Sequence, residues 1–151
     1  MNYRKAVIED IEALMALRKQ QLMDEGIAPD QDIDEELRTF FASKLTDGSL
    51  IEWVVEADSG IVATAAVIFY DFPPSYTNKS GKKAYVTNMY TDIRYRGRGI
   101  ATQLLNRLVE EVKSAGVQTI WLAASQLGRP VYKKFGFQEA NDWMEMHLKK
   151  D

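Results

Sequence analysis

Arg94-Tyr95-Arg96-Gly97-Arg98-Gly99-Ile100-Ala101-Thr102 is the stretch whose residue types and spacing best suit chemistry. It falls between a run that reads as a strand and one that reads as a strong helix. The start of a helix offers free N–H groups and the positive end of the helix dipole, and both favour an anion. Glycines allow positive φ and let backbone approach a ligand closely. Three arginines within five residues add forked donors suited to phosphate, in a chain whose formal net charge is −3. Together these features point to a pyrophosphate. A P-loop would need Lys and then Ser or Thr after its second glycine, but Ile100 and Ala101 follow Gly99. A dinucleotide fingerprint would need Gly or Ala where Thr102 stands, and an acidic residue where Gln118 and Thr119 stand.

Other chemistries have little to work with. The chain has no cysteine, which removes thiol nucleophiles, disulfides and Cys-ligated zinc. Its one histidine, His147, cannot build a His-based metal cluster, so no metal is expected. His147 is also out of phase with the apolar residues around it and should lie on the surface. Glu52, Asp71, Asp92 and Glu139 qualify as general bases by residue type alone. Trp53, Trp121 and Trp143 read as core or rim aromatics.

The elements that must position the glycine turn follow from periodicity. The chain is 151 residues, 46% hydrophobic and 27% charged, which suits one domain with one sizeable core. Residues 2–8 read as a strand. Asp10 reads as a helix cap, and Ile11, Leu14, Met15 and Leu22 keep helical spacing as far as Gly26. A second helix is expected from Asp32 to Leu45, ended by Asp47-Gly48. Ile51, Trp53 and Val55 alternate with Glu52 and Glu56, a half-buried strand. Ile61 to Tyr70 reads as a strand covered on both faces, Asp71 to Lys83 as a long connection, and Ala84 to Asp92 as the next strand. Ile100, Leu104, Leu108 and Val112 mark a helix that Gly116 stops. Val117 to Ala124 reads as a strand, Val131 to Phe135 as a short helix ended by Gly136. Phe137 to Ala140 and Trp143 to Leu148 read as two final short strands, with Met144, Met146 and Leu148 on one face. The strand–helix–strand unit from Ala84 to Ala124 should be a right-handed parallel crossover. The fold class is a mixed α/β sheet.

Arg94, Gly97 and Gly99 form an Arg-x-x-Gly-x-Gly pattern that resembles the coenzyme A motif of the GCN5-related N-acetyltransferases. Asn88-Met89-Tyr90-Thr91 stands where that family's motif-bearing strand lies. Val131-Tyr132-Lys133-Lys134-Phe135-Gly136-Phe137 looks like its late Leu-Tyr-x-x-x-Gly-Phe signature. The resemblance covers nearly the whole chain and is most specific from Val86 to Phe137. It implies a mostly antiparallel central sheet with a parallel pair forming a coenzyme A cleft. Backbone groups of Met89, Tyr90 and Thr91 would pair with the acetyl and pantetheine arm. Arg96, Gly97, Arg98, Gly99, Ile100, Ala101 and Thr102 would hold the pyrophosphate through amides and side chains. Tyr132 would lie near the sulfur as the catalytic acid. The family often has Asn seven residues before this tyrosine. Here Ser125 stands there, with a shorter side chain and different hydrogen bonds.

The function that follows is transfer of an acetyl group from acetyl-CoA to a primary amine by direct attack. The acceptor, a small molecule or a peptide amine, is not legible. Phe72, Tyr76 and Tyr90 are candidates for its site, and Lys79, Lys82 and Lys83 for contacts to the 3′-phosphate of coenzyme A. Two other readings stay open. One is a non-catalytic acyl-CoA sensor of the same fold. The other is an arginine–glycine nucleic-acid-binding module, which the acidic balance and the helix that follows both oppose. No nucleic-acid or membrane partner is expected, because the chain is acidic and no stretch reaches ~18 apolar residues. With no signal-peptide pattern at Met1-Asn2-Tyr3-Arg4-Lys5, a cytoplasmic location is expected. Relatives in the family often pair, which leaves a homodimer open.

Overall fold

The computed structural model describes residues 1–140 and 142–149. Five strands form one sheet in the order β1-β2-β3-β4-β5. They are β1 (Asn2–Lys5), β2 (Leu50–Ala57), β3 (Gly60–Asp71), β4 (Lys82–Thr91) and β5 (Ile120–Trp121). The first four run antiparallel to their neighbours, and β5 is parallel to β4. Helices α1 (Ile11–Asp24) and α2 (Asp34–Asp47) cover one face. Helix α3 (Ile100–Ser114) covers the other, and a short α4 (Arg129–Phe135) follows β5. The mixed α/β architecture expected from periodicity is the one observed.

Pleat alternation makes this layering. Along β3, Ala63, Ala65 and Val67 enter the core shared with Leu104, Leu105, Leu108 and Val112 of α3. Ala66 and Ile68 enter the core shared with Leu14, Met15 and Phe41 of α1 and α2. A strand with both faces covered must be apolar throughout, which is why residues 61–70 lack the alternation seen in β2. Small alanines at the centre let helices on both sides approach. Gly48, at φ +78°, closes α2 in the left-handed conformation as its sequence position required.

Several elements differ from their sequence reading. The strand expected over 2–8 stops at Lys5 and passes into a single 3-10 turn, Ile8–Asp10. Asp10 does not cap α1 with its side chain. Its carboxylate accepts from both terminal nitrogens of Arg4 at 2.7 and 2.8 Å and from the Val7 N–H at 2.8 Å. An ion pair with a nearby guanidinium wins over a cap, and it holds the Asp10 carboxyl below its usual range. The strand expected over 117–124 is only Ile120–Trp121, paired with Ala84 and Tyr85. The two final strands do not form. Residues 137–140 and 142–149 carry no regular structure, and Met144, Met146 and Leu148 are exposed. An alternating pattern becomes a strand only where a sheet edge pairs with it and an apolar face covers it. With β5 ended at Trp121, neither condition is met. Phe137 packs against Tyr132, and Trp143 stacks its ring on Trp121 at 4.5 Å, but neither contact is strand pairing. His147 is exposed, as expected, beside Glu145.

One charged type is buried where the pattern placed it toward water. Glu52 on β2 is 1% exposed and shares its face with Leu50 and Val54. Its Oε2 accepts from Thr64 Oγ1 at 2.6 Å, and its Oε1 accepts from Asn88 Nδ2 at 3.2 Å. Burial pushes the Glu52 carboxyl up to about 7. The hydrogen bonds from Thr64 and Asn88 and the more distant charge of Arg18 on α1 pull the other way and lose. Thr64 has one hydroxyl proton and a second acceptor, the Trp53 carbonyl at 2.9 Å. The neutral acid satisfies every group, because it donates to Thr64, which donates to Trp53. The ionised form cannot satisfy both.

The unfolded chain releases this proton near 4.5 and the folded chain near 7. Between those values the folded state binds more protons, so stability falls as pH rises. The gap corresponds to about 3 kcal/mol at about 1.4 kcal/mol per pH unit. Denaturant unfolding from pH 4.5 to 8 should show this loss, and Glu52→Gln, which mimics the neutral acid, should flatten it.

Candidate active site

A cleft of about 1020 Å³ opens where β4 and β5 part. Beyond Tyr85, β4 has no partner on its β5 side, because the pairing ends at Trp121. The carboxyl end of β4 forms one wall through Met89, Tyr90 and Thr91. The segment 123–128 and α4 form the other, through Ala124, Ser125, Gly128 and Tyr132. The start of α3 forms the floor of one end, and the last turn of α1 overhangs with Gln21, Asp24 and Glu25.

The glycine turn is built as its sequence implied, with one difference in what holds it. Gly97 and Gly99 have φ of +77° and +78°. Nothing lies within 4 Å of a Cβ added to either, so conformation and not space demands glycine there. Gly99 is the N-cap of α3, and its carbonyl accepts from the Gln103 N–H at 3.1 Å. Among the described residues, the N–H groups from Gly97 to Thr102 have no hydrogen-bond acceptor. They converge at the positive end of a helix of 15 residues. The arginine side chains are committed elsewhere. Arg94 pairs with Asp92 at 3.0 Å. Arg96 donates to the Thr91 carbonyl at 2.8 Å, reaches Asp24 of α1 at 3.2 Å and lies over the Tyr90 ring. Arg98 lies over Tyr95 and donates to the Arg94 carbonyl at 3.3 Å. The guanidiniums brace the turn, and the free amides are what face the cleft.

Met89, Tyr90, Thr91, Arg96, Gly97, Gly99, Ile100, Ala101, Thr102, Ser125 and Tyr132 therefore come together on one cleft, and Arg98 does not line it. Ser125 also has a local task. Its Oγ accepts from Gly128 N–H at 3.1 Å and its carbonyl from Arg129 N–H at 3.0 Å, so it caps the turn into α4. Its own hydroxyl proton stays available to the cleft. Tyr132 is 8% exposed, packed edge-on against Phe137. Burial, then the nearby Glu25 carboxylate and Tyr85, push its phenol up to about 12. Tyr90 is shifted upward by burial and by Asp24. Phe72 lies under Lys83 and Tyr76 is fully exposed; neither lines the cleft. Among the described residues no group of His, Asp or Glu could hold a metal ion.

Sequence reasoning missed the α1 contribution, since nothing in the pattern of Gln21, Asp24 and Glu25 says which helix end overhangs a cleft. It also missed Gly128. A Cβ there would stand 2.7 Å from Tyr132 Cε2 and 3.1 Å from its hydroxyl oxygen. A glycine four residues before the tyrosine, at the mouth of a helix, was the available signal.

The family model for the Acetyltransferase (GNAT) family matches residues 11–137. The chain belongs to this family. The chain is 55% identical to a predicted acetyltransferase from Clostridium acetobutylicum whose crystal structure contains acetyl-CoA; the match covers 97% of this chain and 96% of that one, with a TM-score of 0.95. A GCN5-related N-acetyltransferase from Ralstonia eutropha shares the fold at 24% identity and a TM-score of 0.84, over 97% of both chains. A probable glucosamine 6-phosphate N-acetyltransferase from rice is 30% identical over 91 residues, 60% of this chain and 53% of that protein. The chain thus spans about half the length of that curated relative. Its mixed sheet is that of the GNAT fold. Among the described residues no helix is long and apolar enough to cross a membrane.

Gly128→Ala should displace the Tyr132 ring while leaving the fold intact. If Tyr132 takes part in turnover, the rate should fall tenfold or more, since misplacement by about 1 Å can cost 10²-fold. Steady-state kinetics beside a thermal melt would separate the two effects.

Proposed function

We propose that this acetyltransferase uses acetyl-CoA to acetylate a primary amine by direct attack. The observation that carries the reading is the row of unpaired N–H groups from Gly97 to Thr102, in the same cleft as Tyr132 and the β4 amides. These amides fit a pyrophosphate through dipole and geometry, without the arginine side chains. The cleft, about 1020 Å³, has room for an extended pantetheine arm running beside Met89, Tyr90 and Thr91. The acetyl-CoA in the Clostridium relative supports the same choice of co-substrate.

Glu25 lies near Tyr132 with no cationic partner among the described residues, whereas Asp24 is paired with Arg96, so a cationic amine is drawn toward the Tyr132 side of the cleft mouth. An alkyl ammonium titrates near ~10.4 and must lose its proton before attack. The neutral nitrogen then forms the new C–N bond as the C–S bond breaks. The proton leaving nitrogen passes to solvent. Backbone N–H of Met89 donates to the acetyl oxygen as it gains charge, a contribution of about 3–4 kcal/mol per donor in well-studied hydrolases. Tyr132 supplies the sulfur with a proton and recovers one from solvent. Its high pKa keeps the phenol protonated throughout the neutral range, so the donor is always present.

Calorimetry should give a one-site isotherm for acetyl-CoA at micromolar affinity, with ATP much weaker. No binding at millimolar acetyl-CoA would refute the reading. In an amine screen, Tyr132→Phe should lower turnover by about 10²–10⁴-fold with little change in acetyl-CoA affinity. Unchanged turnover would remove Tyr132 from the mechanism. Binding without turnover on any amine would favour the sensor.

A further inference from the structure

Asn88 has φ +54°, the one non-glycine residue with positive φ in the described chain. It sits where the pairing of β3 with β4 slips. Thr64 faces Tyr90 and Ala66 faces Thr87, so Asn88 and Met89 together oppose Ala65 alone. This is a β-bulge, which re-aims the residues beyond it. The change of phase is visible in the packing. Ala84 and Val86 point into the core under α3, and Asn88 would continue that phase. Instead its amide reaches Glu52, which lies on the opposite face with Leu50 and Val54. The next residues, Met89, Tyr90 and Thr91, are the ones that line the cleft.

A left-handed backbone at a non-glycine residue persists when its surroundings over-determine it. Here the surroundings are Glu52 and Thr64. Asn88 is 5% exposed, so its amide has no recourse to water if Glu52 is lost. We propose that Glu52 is a positioning residue for acetyl transfer: with Thr64 it forms a buried hydrogen-bonded clamp on Asn88 that fixes the β4 bulge and so aims the Met89 amide at the acetyl group. Glu52 touches no substrate and passes no proton. The proposal rests on the acetyltransferase reading above.

The clamp needs hydrogen bonds in fixed places and no negative charge. Glu52→Gln keeps them, donating to Thr64 and accepting from Asn88. Glu52→Leu keeps the volume and removes them. Asn88→Gly adopts positive φ unaided, and Asn88→Ala does not. Each variant is assayed for acetyl transfer and, by calorimetry, for the affinities of acetyl-CoA and of coenzyme A. Glu52→Gln should keep turnover within about threefold of wild type, and Glu52→Leu should lose tenfold or more. Coenzyme A affinity should stay within about threefold in both, because the amides of α3 are elsewhere. The preference for acetyl-CoA over coenzyme A should be lost in Glu52→Leu alone. In the Asn88→Gly background the Glu52→Leu loss should largely disappear, since nothing is left to clamp.

If Glu52→Gln is as damaging as Glu52→Leu, Glu52 moves a proton and the clamp is wrong. If Glu52→Leu costs the same in the wild-type and Asn88→Gly backgrounds, the two residues act independently and the clamp is also wrong. Should Glu52→Leu fail to fold, Asn88→Gly against Asn88→Ala decides: the glycine variant should outperform the alanine variant tenfold or more, and equal activities would overturn the proposal. If wild type transfers acetyl to no amine, that failure belongs to the activity reading, and the acetyl-CoA preference of the variants still tests the clamp.

Discussion

The hydrogen bonding of β4 is what the rest of the structure depends on. On one side it pairs with β3 along nearly its whole length. On the other it pairs with β5 at only two positions, Ala84 and Tyr85. Beyond those the strands separate, and the side of β4 turned away from β3 at Met89, Tyr90 and Thr91 borders a cleft instead of a neighbouring strand. Exposed strand edges ordinarily invite pairing. Here the edge is covered by the glycine turn, α4 and the end of α1, which leave room for a ligand but not for another strand.

Two left-handed segments shape that cleft by different means. Gly97 and Gly99 reach positive φ because they have no Cβ, and their surroundings are open. At Asn88 the side-chain amide donates to the buried Glu52 carboxyl, which Thr64 holds in turn. The first device is local and tolerates solvent. The second draws on β2, β3 and β4 at once and requires a dry core. Its cost appears in Glu52, which is kept from ionising until about neutral pH.

The arginines illustrate how charge and geometry divide the work. Arg94, Arg96 and Arg98 all have acceptors within the protein, and Arg96 ties β4 to α1 through Thr91 and Asp24. Their positive field remains near the turn, and the backbone amides from Gly97 to Thr102 add donors that have no acceptor among the described residues. Asp24 is taken up by Arg96, which leaves Glu25, near Tyr132, as the carboxylate at the end of α1 with no cationic partner among the described residues.

The amino-acid sequence by itself determined the layers of the fold and the glycine turn. Each of these is local or periodic: a 3.6-residue stripe in α3, a continuous apolar run in β3, glycines where φ must be positive. Tertiary structure alone decided the rest. Glu52 reads as the polar side of an alternating strand, yet α1 and α2 cover that face and bury it. The alternation of Met144, Met146 and Leu148 reads as a strand, yet no edge or apolar face meets it. Asn88 carries no mark of its left-handed backbone, because the partner that holds it is 36 residues away. Gly128 matters for a contact with Tyr132, and Asp24 and Glu25 matter because α1 ends over the cleft. Such features depend on which distant residues meet, and a one-dimensional pattern carries no record of that.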